Sequence, residues 1–134
     1  MSARRKARKR AVDFLYEAEI KKIDPKALLE SRPPEELSEG EYAIHLVSGV
    51  VENQRKIDDL IMTYAQGWDM DRMPALDRNI LRVAIYELLY EPELADQIAI
   101  NEAVEIAEDI STVDSSGYIN GVLGRISALK ESLI

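Results

Sequence analysis

LDRNILRVAIYELLY, residues Leu76 to Tyr90, is the most apolar helical stretch of the chain and the one that decides its architecture. Wound at about 100° per residue, Leu76, Ile80, Leu81, Val83, Ala84, Ile85, Leu88 and Leu89 spread over roughly 240° of helix surface. A helix packed on one side needs about half that arc. The segment is therefore expected to be a central helix that the rest of the chain contacts from several directions. A narrow polar strip remains, made of Arg78, Asn79, Arg82, Tyr86 and Tyr90. Glu87 falls inside the apolar arc, between the directions of Val83 and Ile80. A carboxylate there is expected to be buried and bonded to a polar partner, because an unpaired buried charge costs as much as the whole stability of a small domain.

Pro74 opens this helix, and Asp77 lies in its first turns, where negative charge favours the helix dipole. Pro92 disfavours helix at Glu91 and so closes it. Upstream, GWDMDRM at 67–73 reads as a loop, with Trp68 expected to close one end of the core. Downstream, a helix within Gln97 to Ile110 turns Ile100, Ala103, Val104, Ala107 and Ile110 inward. The last helix runs from about Ser115 to Ser132, capped by Asp114 or Ser115, with Ile119, Val122, Leu123 and Ile126 on its apolar strip. Gly117, Gly121 and Gly124 share its opposite side, although each costs a helix about 1 kcal/mol. Either another helix packs closely there or a ligand or RNA does. Tyr118 and Arg125 border that strip.

Toward the N-terminus, Ser38 with Glu41 three residues on forms a capping box. The helical stretch behind it carries Tyr42, Ile44, Leu46, Val47, Val50 and Val51. Gly49 to Asn53 suggests a break before a second strip of Ile57, Leu60, Ile61 and Tyr64, so two helices are expected. His45 reads as a packing or surface residue. Asp58 and Asp59 point in adjacent directions and read as a solvated face. Asp24-Pro25 starts a short helix, KALLES, and RPPEE at 32–36 forms a turn. From Ala3 to about Lys21 there is no helix breaker, and Ala7, Ala11, Phe14, Leu15 and Ala18 form one apolar strip. With no strand-like alternation, the count is about seven helices in a single all-α domain over residues 1–134.

With 46% apolar and 31% charged residues, the composition suits a globular protein in solution, and no apolar run approaches the roughly 20 residues of a membrane span. Asp13, Glu17 and Glu19 interrupt what would have to be a signal-peptide core, so a cytoplasmic location is expected. The absence of cysteine excludes disulfides, thiolate catalysis and cysteine zinc sites. One histidine leaves little for a metal site, and no cofactor is expected. No nucleophile, base and orienter can be assembled, so an enzyme is not expected.

The net charge of −8 conceals an asymmetry. Six of the 17 basic residues lie between Arg4 and Arg10, leaving 11 bases against 25 acids in the rest of the chain, a net of −14. An acidic body with a basic head suggests a directed polyanion contact. On the first helix Arg5, Lys9 and Tyr16 fall within about 40° of one another, with Lys6 and Arg10 beside them. A ring below a ladder of cations suits phosphates and one stacked base. A solvated basic terminus is the other reading, and the two are evenly balanced.

Three blocks in order, ARRKARKRAVDFLY at 3–16, LDRNILRVAIYEL at 76–88 and IAINEAVEIAEDISTVDSSGYINGVLGRI at 98–126, resemble the NusB family of bacterial transcription antitermination factors. The middle, residues 24–75, is a weaker match. The resemblance implies two small three-helix bundles packed across one another, plus a short extra helix. It implies an adaptor that binds the boxA element of nascent ribosomal RNA together with the ribosomal protein NusE. The pair then loads onto RNA polymerase with other Nus factors. Carried over by position, RNA contacts fall on Arg4, Arg5, Arg8, Lys9 and Tyr16, completed by Asp114, Tyr118 and Asn120. Partner contacts fall on Asp77, Arg78 and Arg82. Gly117 and Tyr118 stand where the family often has a basic or larger residue followed by Phe. Some members are homodimers and others monomers, and the sequence does not choose between them.

The same domain resembles the N-terminal part of certain ribosomal RNA cytosine methyltransferases, but their cysteine nucleophile has no counterpart here. The alternative from another class is a helical protein-interaction module without specific RNA binding.

Overall fold

A computed structural model describes residues 2–32, 40–65, 67 and 69–133. Among them are six helices and no strand: α1 Ala3–Lys21, α2 Pro25–Glu30, α3 Gly40–Tyr64, α4 Ala75–Tyr90, α5 Asp96–Ile110 and α6 Val113–Leu133. Trp68, Ser38 and the proposed turn beyond Arg32 lie outside the described residues.

The wide apolar arc of α4 makes it the hub. It packs with α1 and α3, and again with α5 and α6, so two three-helix sets share it, while α2 leans on α1 and α3. Every residue from Asn79 to Leu89 is buried. Ile80, Leu81, Ile85 and Leu88 are almost completely so, each contributing about 1.5–3 kcal/mol by leaving water. One apolar cluster runs from these side chains through all six helices. Among the described residues no helix is long and apolar enough to cross a membrane.

Asp24 caps α2 as expected, its carboxylate accepting from the Lys26 N–H at 3.3 Å. Two local expectations change. First, α3 runs unbroken through 49–53. Gly49 is there for clearance, because a Cβ would overlap the ring of Tyr86 on α4. Its cost to the helix is offset by this close approach of α3 and α4. Asn53 stays within the helix, its side-chain amide donating to the Gly49 carbonyl at 2.8 Å.

Second, α6 begins at Val113, before the expected caps. Thr112 Oγ1 accepts from the Ser115 N–H at 3.1 Å, the geometry of a capping residue. Among the described residues no other helix reaches the glycine strip of α6. A Cβ at Gly117 or Gly124 would meet nothing within 4 Å, and one at Gly121 would meet only the Arg125 guanidinium, at 3.6 and 4.0 Å.

Candidate nucleic-acid interface

The first turn of α1 holds no acid, so its cations crowd the helix end where the dipole is also positive. Such an arrangement favours anions nearby, and α5 supplies them. Glu102, Glu105 and Asp109 recur at helical spacing along one face of α5. Arg5 Nε donates to Glu102 at 2.6 Å, its Nη2 reaches Glu105, and Lys9 reaches Asp109. Hydrogen bonding and charge from Lys9 hold the Asp109 carboxyl below its usual value. Arg5 and Lys9 thus sit on the expected face of α1 but are already paired within the molecule. Tyr16, further along the same face, is exposed.

Arg8, expected on the RNA face, is instead buried, with 4% of its surface accessible. Its Nε donates to both oxygens of Glu87, at 2.8 and 3.0 Å, and Glu102 lies 3.4 Å from its Nη1. Its helical direction differs from that of Arg5 by three residues and carries it toward α4. Glu87 therefore has the partner its place in the apolar arc demanded, and the Tyr42 hydroxyl donates to it as well, at 2.5 Å. Burial, together with that bond, pushes the Tyr42 hydroxyl well above its ordinary value, so it remains a donor.

Arg4 behaves differently. It is exposed, and its guanidinium lies 3.7 Å over the Tyr42 ring. Tyr42 stacks on His45, His45 meets Tyr86 edge-on, and Tyr86 stacks on Tyr90, with centroids 5.9, 5.7 and 5.3 Å apart. His45 also contacts Glu91. The four rings are spread over α3 and α4, so periodicity within one helix could not group them.

On α6, Asp114 and Asn120 are exposed and Tyr118 is half-buried. Burial raises the Tyr118 hydroxyl, partly opposed by Arg125. Helix α5 packs along α6 while its acids hold Arg5 and Lys9, and α4 packs against both α1 and α6.

The polar strip of α4, expected to face a protein partner, is turned inward. Asp77 is fully buried and accepts from the Ser111 and Ser115 hydroxyls at 2.6 Å each, tying α4 to the α5–α6 junction. Arg78 donates to Glu19 and to the carbonyls of Met70 and Met73. Arg82 holds Asp58 through two nitrogens, at 2.8 and 3.1 Å, and also reaches Glu19 and Asn79. Asp58 is accordingly paired rather than solvated, and Asp59 alone is exposed. Sequence reasoning missed Glu19 and Asp58 as partners, and the only available signal was their opposite charge to two arginines that had to be covered.

Residues 5–128 match the sequence model of the NusB family. The transcription antitermination protein NusB of Kineococcus radiotolerans is 46% identical, over 99% of this chain and 98% of its own. A solved structure of NusB from T. maritima is similar with a TM-score of 0.85 at 35% identity, covering 96% of this chain and 92% of that one. A chain from a crystal structure of the antitermination factors NusB and NusE in complex with dsRNA shares the fold, with a TM-score of 0.79 at 23% identity over 96% and 98% of the two chains.

Proposed function

Because the chain belongs to the NusB family, we propose that it is a transcription antitermination factor that binds boxA RNA of nascent ribosomal transcripts jointly with NusE. The pair then acts on RNA polymerase with other Nus factors. The activity is binding without catalysis, in the cytoplasm. One observation carries the reading: the cations of α1 lie at the positive end of a helix dipole on an otherwise acidic chain, with Tyr16 exposed on the same face. Phosphates take Arg4 and Lys6 directly and compete with α5 for Arg5 and Lys9. Tyr16 offers a stacking surface, and the exposed Asp114 and Asn120 of α6, with the half-buried Tyr118, extend the face. Arg8 contributes by fixing α1 on α4. Asp77, Arg78 and Arg82 serve the NusE contact by holding the surrounding elements in place.

The test is a gel shift with boxA RNA and a scrambled control, with and without NusE, at two salt concentrations. The expected result is preference for boxA, tighter binding with NusE, and weakening with salt as neutralised phosphates release counterions. Arg4→Glu with Lys6→Glu should abolish the shift without unfolding the protein. Equal binding of boxA and scrambled RNA under all conditions would favour a protein-interaction module instead.

A further inference from the structure

A groove of about 700 Å³ opens between the start of α1 and the first half of α3. Ala3 and Ala7 form its α1 wall and Ser48 closes part of the α3 wall, so small side chains leave room for a planar ring. Tyr42 and His45 also line it, with ring planes 27° apart. At its edge the exposed Arg4 guanidinium covers the Tyr42 ring and makes no ion pair among the described residues, unlike Arg5, Arg8 and Lys9. Glu41 supplies a carboxylate to the lining.

We propose that this groove is a nucleotide subsite, in which one base of single-stranded RNA stacks beside Tyr42 and His45 while Arg4 holds the adjoining phosphate. The proposal rests on the RNA-binding reading above and adds a site to it. Every base presents a π-face, and stacking on an aromatic ring beside a cation is the general way a protein holds an unpaired base. Glu41 repels a phosphate from the groove itself, which leaves the phosphate at Arg4, and it accepts a hydrogen bond from an exocyclic amine of the base. Arg4 projects about 100° round α1 from Arg5, so a strand crossing the end of the helix meets both.

The experiment places 2-aminopurine at successive positions of boxA RNA and reads its emission and the affinity with the full chain and NusE. One position is expected to be quenched. His45→Ala removes an exposed ring from the stack, and Ser48→Trp fills the groove. In each, quenching at that position should be lost and affinity should fall roughly five- to tenfold, with unchanged circular dichroism as the check on folding. Arg4→Ala should lower affinity to a similar extent. Affinities within twofold of the parent, or a loss of affinity with no base-specific change in emission, would overturn the subsite and leave the RNA-binding reading intact. Failure of the parent chain to prefer boxA over scrambled RNA would overturn both.

Discussion

Arg8 and Glu87, 79 positions apart in the chain, form a buried pair in which one guanidinium nitrogen donates to both carboxylate oxygens, at 2.8 and 3.0 Å. Together with the Tyr42 hydroxyl they pin α1 and α3 to the hub helix.

Removing one partner strands the other charge out of water. Arg8→Ala is expected to cost about 3–5 kcal/mol in urea unfolding. Arg4→Ala, at an exposed site, should stay within about 0.5 kcal/mol. An Arg8→Ala midpoint equal to that of the parent would show that the pair contributes nothing to holding α1.

On the RNA face proposed above, the carboxylates of α5 compete with phosphate for Arg5 and Lys9. Neutralising two of them, in Glu105→Gln with Asp109→Asn, should raise affinity for boxA RNA about three- to tenfold in fluorescence anisotropy. A fall in affinity would mean that the ion pairs present the cations to RNA rather than withhold them.

Stability should decline on acidification. Burial pushes the Glu19 carboxyl up, but hydrogen bonds from Arg78 and Arg82 outweigh it and hold the group below its ordinary value. Asp96 is held low in the same way by Lys130 and Ser127. A depressed carboxylate stabilises the fold above its unfolded-state value and loses that contribution as pH falls through the folded one, here below about pH 4. Asp13, raised by burial, runs the opposite way and returns a part. Urea midpoints between pH 7 and pH 3 should therefore fall, and the fall should be smaller in Glu19→Gln. An equal fall in that variant would remove Glu19 from the account.

Glycines on α3 and α6 should respond with opposite sign. Gly49→Ala drives a methyl into the Tyr86 ring, which is itself packed between His45 and Tyr90, and is expected to cost about 1–3 kcal/mol. Gly117→Ala and Gly124→Ala meet open space and should each gain up to about 1 kcal/mol of helix stability. Thermal melts distinguish these, and a destabilised Gly124→Ala would indicate a contact not evident from the fold.

Periodicity made the hub legible: the 240° arc of Leu76 to Tyr90 required neighbours all round, and the structure supplies four helices. It also made Glu87 legible, since a carboxylate inside that arc must have a partner. It did not reveal which partner, because Arg8 is far away in sequence and looked like one cation among six. The polar strip misled for the same reason. Arg78 and Arg82 on one helix are equally consistent with solvent and with facing carboxylates, and Glu19 and Asp58 lie on other helices, while Asp77 is met by the Ser111 and Ser115 hydroxyls instead. Gly49 carried a similar ambiguity between a break and a close approach, which only the facing Tyr86 resolves. For the site, the basic face of α1 was readable, whereas the rings gathered from α3 and α4 were not.

On the RNA face proposed above, the interlock of α1 with α5 makes RNA capture an exchange reaction. When a phosphate replaces Glu102, Glu105 or Asp109 on Arg5 or Lys9, cations leave the RNA, but others condense on the carboxylates laid bare. The net number of ions set free is then smaller than the number of phosphates touched. A plot of log affinity against log salt should accordingly be shallower than the roughly 0.7 per contact of a simple single-strand binder. Some of the electrostatic strength of the basic head is thereby traded for tolerance of changing ionic conditions.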